Sequence, residues 1–223
     1  TSTGKYVLGS GAAGYNDSGE SFVAWCAKLG GAASTTSPAG TIASSSSVNT
    51  TLGMSVATFT GTGSAGTVGH GLGVAPKLII IKKRNDDRAW PLAHTDVTTD
   101  AGGVYFQMDV PDGGLGNDST LYNTITSTTV ELGATDQLNG SGDTYVMICF
   151  APSEFISIGI GKGYANSDGA LHTMINSAGI LLLPIWSMFK SPDSAGSWVI
   201  SDAGRNSYNV VTGSFEADLT NVE

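Results

Sequence analysis

The chain has 223 residues, of which 40% are hydrophobic and only 13% are charged, and its formal net charge is −9. This hydrophobic content excludes a disordered chain, because disordered segments are poor in hydrophobic residues and rich in charge. The acidic balance argues against nucleic-acid binding, which depends on the neutralisation of phosphates by basic side chains. No apolar stretch approaches the roughly 18 residues of a membrane-spanning helix, so we expect no membrane insertion.

Short β-strands are the predicted elements along the whole chain. Each is a run rich in β-branched or aromatic residues, and clusters of Gly, Ser, Asp, Asn and Pro separate the runs. No apolar pattern of helical period extends over ten residues. The chain is therefore predicted to be all-β, as a jelly-roll-like β-sandwich built from internally repeated hairpin modules. In chain order the predicted strands are 20–29, 54–60, 77–83, 104–110, 128–133, 143–150, 155–160, 182–190 and 197–202.

The segment 30–51 is predicted to be a linker or a long surface loop. It consists largely of Gly, Ala, Ser and Thr, and it has no run of large apolar residues. It would separate a closing strand segment of a preceding unit (1–29) from a complete β unit (52–151). A second, partial unit would then occupy residues 152–223.

Two internal correspondences predict that the units repeat. At an offset of 108 residues, PKLIIIKKRNDDRAW (76–90) aligns with PIWSMFKSPDSAGSW (184–198) without a gap. At an offset of 123 residues, NDSGESFVAWC (16–26) aligns with NGSGDTYVMIC (139–149). The chain starts and stops within a unit, so we expect either a fragment or two ends that complete each other in space.

The first correspondence predicts a hairpin frame that is used twice. Side chains alternate between the two faces of a strand, so the shared lysine ends an apolar face of the first strand. The shared tryptophan is expected to point inward from the second strand as a packing anchor. The frame positions are Pro76, Lys82 and Trp90 in one copy and Pro184, Lys190 and Trp198 in the other.

A basic cluster in the first copy is predicted to decorate the hairpin tip. Lys83, Arg84 and Arg88 align with uncharged residues of the second copy, and Asp86 and Asp87 neutralise much of their charge. We therefore expect these basic side chains to solvate a turn. A phosphate site and a contact with an acidic partner are the alternatives, and Arg84 and Arg88 are then the candidate ligand contacts.

A second polar set follows the last predicted strand, in SDAGRNSYNVV (201–211). It combines carboxylate, guanidinium, amide and phenol groups, which are common in the recognition of sugars and protein surfaces. A turn that hydrogen-bonds to itself is the alternative. The candidate ligand contacts here are Asp202, Arg205, Asn206, Tyr208 and Asn209.

No motif for metal binding or catalysis is complete in the sequence. His70 lies between close glycines in TVGHGLG and is predicted to be structural. The loop DVPDGGLGND (109–118) is predicted to be a turn, with calcium binding as the alternative. Cys26 and Cys149 lie in apolar runs and are predicted to be buried thiols, with a disulfide as the alternative. We expect no metal, no cofactor and no enzymatic activity.

Three runs of the chain together resemble a repeat domain of tailed-bacteriophage virion proteins. They are 59–90, SGDTYVMICFA (141–151) and 182–209, and the segment SGESFVAWCAKLGG (18–31) resembles the part that precedes this domain. Such domains are typical of tail-fibre and host-recognition proteins of marine and cyanobacterial phages. The chain departs from the pattern in an enlarged segment (161–179) and ends before the closing strand that such proteins have.

The resemblance implies a virion component on the surface of an extracellular particle, and it supplies no catalytic residues. We expect a tail-fibre or tail-tip adhesin domain that binds a glycan or an outer-membrane protein of the host and contacts other virion subunits. A purely structural virion protein, such as a capsid decoration or a tail-associated part, is one alternative. A polysaccharide-degrading enzyme is another. By analogy with fibres, we expect a homo-oligomer, a trimer in particular.

Overall fold

A computed structural model describes residues 26–29, 39–97, 105–109, 121–160, 186–202 and 215–216. Within these residues the chain forms twelve β-strands and a single helical turn, so the prediction of an all-β chain is confirmed. The elements are β1 (Ser44–Asn49), β2 (Met54–Thr60), β3 (Gly66–Gly69), β4 (Leu78–Lys83), β5 (Pro91–His94), β6 (Tyr105–Gln107), β7 (Tyr122–Ile125), β8 (Thr129–Leu132), α1 (Asp136–Asn139), β9 (Thr144–Phe150), β10 (Trp186–Phe189), β11 (Val199–Asp202) and β12 (Phe215–Glu216).

The largest sheet has six strands in the order β1-β2-β9-β4-β5-β6. Neighbouring strands in it are antiparallel. Strand β4 has buried apolar side chains on both faces, with Ile79 and Ile81 on one and Ile80 on the other. A strand with a continuous apolar run is covered on both sides, and both faces of this sheet are indeed packed against other strands.

One face of the six-stranded sheet packs against a three-stranded sheet in the order β3-β8-β7. The strands of both sheets contribute to a single buried apolar cluster, which is the larger core of the molecule. Its members from the six-stranded sheet include Ala57, Phe59, Ile79, Ile81, Tyr145, Met147 and Cys149, and those from the smaller sheet include Val68, Tyr122, Val130 and Leu132.

The opposite face packs against the last module, in which β10, β11 and β12 form a further three-stranded sheet. Trp198 is buried there against Phe106, with the rings edge to face and their centroids 5.7 Å apart. Its Nε1 donates a hydrogen bond to the Gln107 carbonyl oxygen at 3.0 Å. Ile80 and Leu92 complete this smaller core.

The hairpins β4–β5 and β10–β11 pair in the same register at the predicted offset of 108 residues. Leu78 pairs with His94 in the first, and Trp186 pairs with Asp202 in the second. In both hairpins the frame lysine donates a hydrogen bond to a backbone carbonyl six residues later: Lys82 to Arg88, and Lys190 to Gly196. The repeated modules and the jelly-roll sandwich stay predictions.

Two predicted segments have a different structure. The predicted linker 30–51 contains β1, the edge strand of the six-stranded sheet. Ser44 and Ser46 are buried at alternate positions of that strand, so small serines occupy positions where apolar residues are expected. The predicted strand 155–160 has no strand structure, and its Phe155 and Ile160 are exposed.

Two side chains predicted to be buried are exposed. Trp90 was expected to point inward, but it precedes β5 and is 37% exposed, because the smaller core ends at Leu92 and is closed by Trp198. Cys26 is also exposed, since it lies outside the strands. Cys149 is buried, as predicted, and burial raises the pKa of its thiol to about 12. Both cysteines are free, so no disulfide forms.

Candidate functional site

The loops 61–65, 84–90 and 133–143 lie at one end of the six-stranded sheet, which we call the tip end. Strand pairing places them there, because Thr60 at the end of β2 pairs with Thr144 at the start of β9. Lys83 at the end of β4 pairs with Tyr145 of the same strand β9. Three loops distant in sequence are thereby brought together around the predicted hairpin tip.

Lys83 lies at the centre of the tip end, and its side chain is only 5% exposed. Its Nζ is 2.9 Å from Asp136 Oδ1, 2.9 Å from Asp143 Oδ2 and 3.5 Å from Asp86 Oδ2. A buried charge is costly unless it is paired, and three carboxylates pair this ammonium. The expectation that Lys83 solvates the tip is therefore wrong. The residue instead joins the hairpin to the loop 133–143.

The pKa shifts in this cluster keep its groups charged. Hydrogen bonds from Lys83 to Asp143 and Asp136 raise the pKa of the lysine. The Asp143 pKa is lowered by hydrogen bonds from Lys83 and Asn85. The Asp86 pKa is lowered, chiefly by a hydrogen bond from the Asp87 backbone N–H. At neutral pH these are carboxylates around an ammonium, and neither shifted acid holds a proton to donate.

Arg88 and Asp136 form an ion pair at the surface above this cluster. Arg88 Nη2 lies 3.0 Å from Asp136 Oδ2, and both side chains are about half exposed, at 55% and 52%. Asp136 thus uses one oxygen for the buried Lys83 and the other for the exposed arginine. Arg88 Nε also lies 3.4 Å from Asp86 Oδ2. Arg84 is exposed on the same loop, and its backbone N–H donates to the Thr144 carbonyl oxygen at 2.8 Å.

Trp90 ends the hairpin-tip loop and presents part of its ring to solvent. Lys82 Nζ lies 5.7 Å from the ring centroid, within the range of a cation–π contact. The Trp90 backbone N–H donates to Asp109 Oδ1 at 3.0 Å. The ring is therefore supported on two sides while it remains 37% exposed.

A buried amide side chain joins two of the tip-end loops. Asn139 is fully buried at the end of α1. Its Oδ1 accepts a hydrogen bond from the Thr62 backbone N–H at 2.8 Å. Its Nδ2 donates to the carbonyl oxygens of Ser64 at 2.7 Å and Gly133 at 3.1 Å. These bonds join the loop 61–65 to the loop 133–143.

A tyrosine and a glycine tighten the same junction. The Tyr145 hydroxyl donates to the Asp136 carbonyl oxygen at 2.6 Å and accepts from the Gly140 N–H at 2.8 Å. A Cβ at Gly61 would lie 2.2 Å from the Gly140 carbonyl oxygen, so the loops pack too closely there for a side chain. The backbone that carries Asp136 is consequently held from both sides.

Comparison with protein families places the whole chain, residues 1–223, in a family described as a domain of unknown function, DUF7483. The chain belongs to this family. No curated protein and no solved structure matches the chain. Among the residues described for this DUF7483 domain, no helix is long and apolar enough to cross a membrane.

The predicted ligand contacts of the DUF7483 chain have different locations. Arg84 and Arg88 lie together at the tip end. Asp202 is buried at the end of β11 and pairs with Trp186, away from the turn of its own hairpin. The candidates Arg205, Asn206, Tyr208 and Asn209, and the frame residue Pro184, lie outside the described residues. Pro76 is buried before β4.

Sequence reasoning missed the residues that hold the tip end of the DUF7483 chain together. Asn139, Asp143 and Tyr145 all lie in NGSGDTYVMIC, the segment that aligns with 16–26 at an offset of 123 residues. Their recurrence, as Asn16, Glu20 and Phe22, was the available signal. Asp136 lies just before this motif and had no such signal.

His70 has the geometry of a structural residue. It is fully buried; its Nε2 lies 3.2 Å from the Thr126 carbonyl oxygen, and its Nδ1 accepts from the Leu72 N–H at 3.3 Å. The neighbouring Gly71 and Gly73 have φ of +72° and +76°, as expected for a tight turn. Burial lowers the His70 pKa, so the ring is neutral.

No group of three potential metal ligands occurs among the residues that the structure describes. The candidate calcium loop 109–118 lies outside them, apart from Asp109. At the end of the sheet opposite the tip end there is an open groove of about 380 Å³, lined by Cys26, Ala27, Lys28, Asn49, Thr51, Leu52 and Phe155. These side chains do not include a nucleophile paired with a base.

Proposed function

We propose that this DUF7483 chain is a surface domain of a phage virion, of the tail-fibre or tail-tip type, that binds the host cell through its tip end. The resemblance to phage host-recognition domains supports this class of protein. The tip end supports the location, because binding residues are commonly carried by loops that a rigid scaffold positions. Other virion subunits are the expected partners, and a homotrimer is the expected assembly by analogy.

The exposed Arg88–Asp136 pair above the buried Lys83 is the observation that carries the proposal. Both exposed side chains are held in place, Asp136 by Lys83 from below and Arg88 by two carboxylates. Groups fixed before binding lose little conformational entropy when a ligand arrives. An exposed, oriented polar pair beside a supported tryptophan suits recognition better than it suits stability alone.

A binding role also fits the protonation of the tip better than glycoside hydrolysis does. A glycosidase needs one carboxylic acid with a raised pKa as proton donor. At the tip end the pKa values of Asp86 and Asp143 are lowered. We therefore propose a domain without enzymatic activity.

A structural role in the particle is the second candidate, and exposed aromatic residues favour it. Trp186 and Phe189 on β10 are both exposed, as is Phe155 after β9. Large exposed apolar side chains often mark subunit contacts. This role predicts a high copy number along a head or a tail tube, whereas an adhesin is present in few copies.

Adsorption of the labelled chain to a panel of bacterial and cyanobacterial strains tests the first proposal. Arg84→Ala and Arg88→Ala are expected to weaken adsorption to a susceptible strain, while Lys28→Ala, at the opposite groove, leaves it unchanged. Circular dichroism and urea unfolding verify that the variants fold. Adsorption that is equal for all four proteins would contradict a binding role for the tip end.

A further inference from the structure

We propose that the ligand of the tip end is an uncharged carbohydrate whose neighbouring hydroxyl groups bind the Arg88–Asp136 pair. This inference rests on the proposed function and adds the chemical class of the ligand. Its basis is the charge balance of the tip, the arrangement of donors and acceptors, and the exposed ring beside them.

The charges at the tip end cancel. Four basic residues, Lys82, Lys83, Arg84 and Arg88, lie beside four acidic residues, Asp86, Asp87, Asp136 and Asp143. A site for phosphate or another polyanion needs a local excess of positive charge. This balance gives no such excess, although the tip looks basic when 82–88 is considered without the loop 133–143.

The most buried cation is also unavailable to an anion. An ammonium has three donor hydrogens, and Lys83 Nζ has three carboxylates within 3.5 Å. An anionic ligand would have to displace one of them. The free hydrogen-bonding capacity of the tip therefore belongs to the exposed pair and not to Lys83.

The exposed pair offers a donor and an acceptor side by side. Arg88 Nη2 and Asp136 Oδ2 are 3.0 Å apart and about half exposed. A guanidinium has five N–H donors and a carboxylate has about four acceptor sites, so each retains capacity beyond this contact. A hydroxyl group both donates and accepts. Two adjacent hydroxyls therefore match the pair, one accepting from Arg88 and the other donating to Asp136.

The ring of Trp90 supplies the apolar part of the site. It lies two residues after Arg88 and is partly exposed, with Lys82 near the ring. Aromatic rings contribute a large rigid apolar surface with a polar edge, which suits the mixed C–H and O–H surface of a sugar. A polar pair beside such a ring is the combination that an uncharged glycan requires.

Chemical treatment of the cells tests this inference with the full chain. The probe is a strain from the panel that adsorbs the labelled chain, either untreated, oxidised with periodate or digested with protease. Periodate cleaves the bond between carbons that carry neighbouring hydroxyls, so adsorption is expected to be lost after periodate and retained after protease. Because the bonds are not ionic, raising NaCl from about 0.05 M to about 0.5 M should change adsorption by less than about twofold.

Two substitutions sharpen the test. Arg88→Lys keeps the charge but removes the planar fork of donors, and Asp136→Asn removes the carboxylate. Each is expected to weaken adsorption by about tenfold or more. Lys28→Arg and Asp193→Asn, which change exposed residues away from this pair, are the matched controls. If Asp136→Asn unfolds the chain, Arg88→Lys alone decides.

The outcomes separate the two proposals. Adsorption that Arg88→Ala abolishes but periodate leaves intact would overturn the carbohydrate inference and keep the binding function. Adsorption that falls steeply with salt would do the same, since it would indicate an anionic ligand. Adsorption to no strain of the panel would overturn the proposed function and, with it, this inference.

Discussion

At the scale of single residues, Asn139 holds the tip end together with one buried amide group. Its three hydrogen bonds join α1 to the loops on either side. Asn139→Ala removes all three and leaves the Gly133 carbonyl oxygen buried without this donor. We expect a loss of about 2–4 kcal/mol in the free energy of unfolding, measured by urea denaturation.

The control for this prediction is Asn123→Ala on β7, where the side chain is half-buried. Its expected effect is within about 0.5 kcal/mol. Equal stability of Asn139→Ala and the native chain would show that the amide does not hold the loops.

His70 predicts a pH dependence of stability. Burial lowers its pKa in the folded state, so below about pH 6.5 the unfolded chain takes up a proton more readily than the folded chain does. The free energy of unfolding should therefore be constant above this pH and decrease as the pH falls below it. His94 acts in the same direction, because burial lowers its pKa too.

Urea unfolding at about pH 7.5 and about pH 5.5 measures the effect. His70→Gln keeps a donor and an acceptor without a titrating ring, and the difference in stability between the two pH values should shrink in this variant. His94→Gln should reduce the remainder. An unchanged difference in His70→Gln would contradict the buried neutral ring.

At the scale of elements, the close contact between the loops 61–65 and 133–143 depends on Gly61. Its Cβ would meet the Gly140 carbonyl oxygen at 2.2 Å and the Asn139 carbonyl carbon at 2.8 Å. Backbone atoms cannot move aside as side chains can, so Gly61→Ala should cost about 2–3 kcal/mol. Thermal or urea unfolding measures this cost.

Gly159→Ala provides the comparison, since nothing lies within 4 Å of its Cβ position. This variant should be as stable as the native chain to within about 0.5 kcal/mol. If the two alanine variants were equally stable, the loops would be able to separate, and the rigid tip would be wrong.

Strands with large apolar residues could be predicted from the sequence, and β2 has the predicted bounds of 54–60. Strand β1 could not, because serines at its buried positions carry no hydrophobic signal. The run 155–160 gave the opposite error: it is apolar, but it is exposed and has no strand partner among the described residues. Burial depends on what packs against a segment, and composition does not record that.

The site was predictable only in part, for a similar reason. Alignment of the two hairpins separated Arg84 and Arg88 from the shared frame, and both lie at the tip end. The burial of Lys83 could not be foreseen, because Asp136 and Asp143 lie more than 50 residues away in sequence. Long-range strand pairing brings them together.

At the scale of the whole molecule, Trp198 connects the last module to the six-stranded sheet. Its ring is buried against Phe106 and bonded to Gln107. Trp198→Ala should cost about 3–5 kcal/mol through lost packing and a cavity. Trp90→Ala, at the equivalent but exposed position of the other hairpin, should cost less than about 1 kcal/mol. Urea unfolding of the two variants compares them, and equal losses would contradict the difference in burial.

The central claim is that the tip end faces the host, and a cryo-EM map of the phage particle that carries this chain tests it most directly. The account predicts few copies, at the distal end of the tail or on a fibre, with Arg84, Arg88 and Trp90 directed away from the particle. Hundreds of copies that coat the head or the tail tube, with these residues buried between subunits, would contradict it.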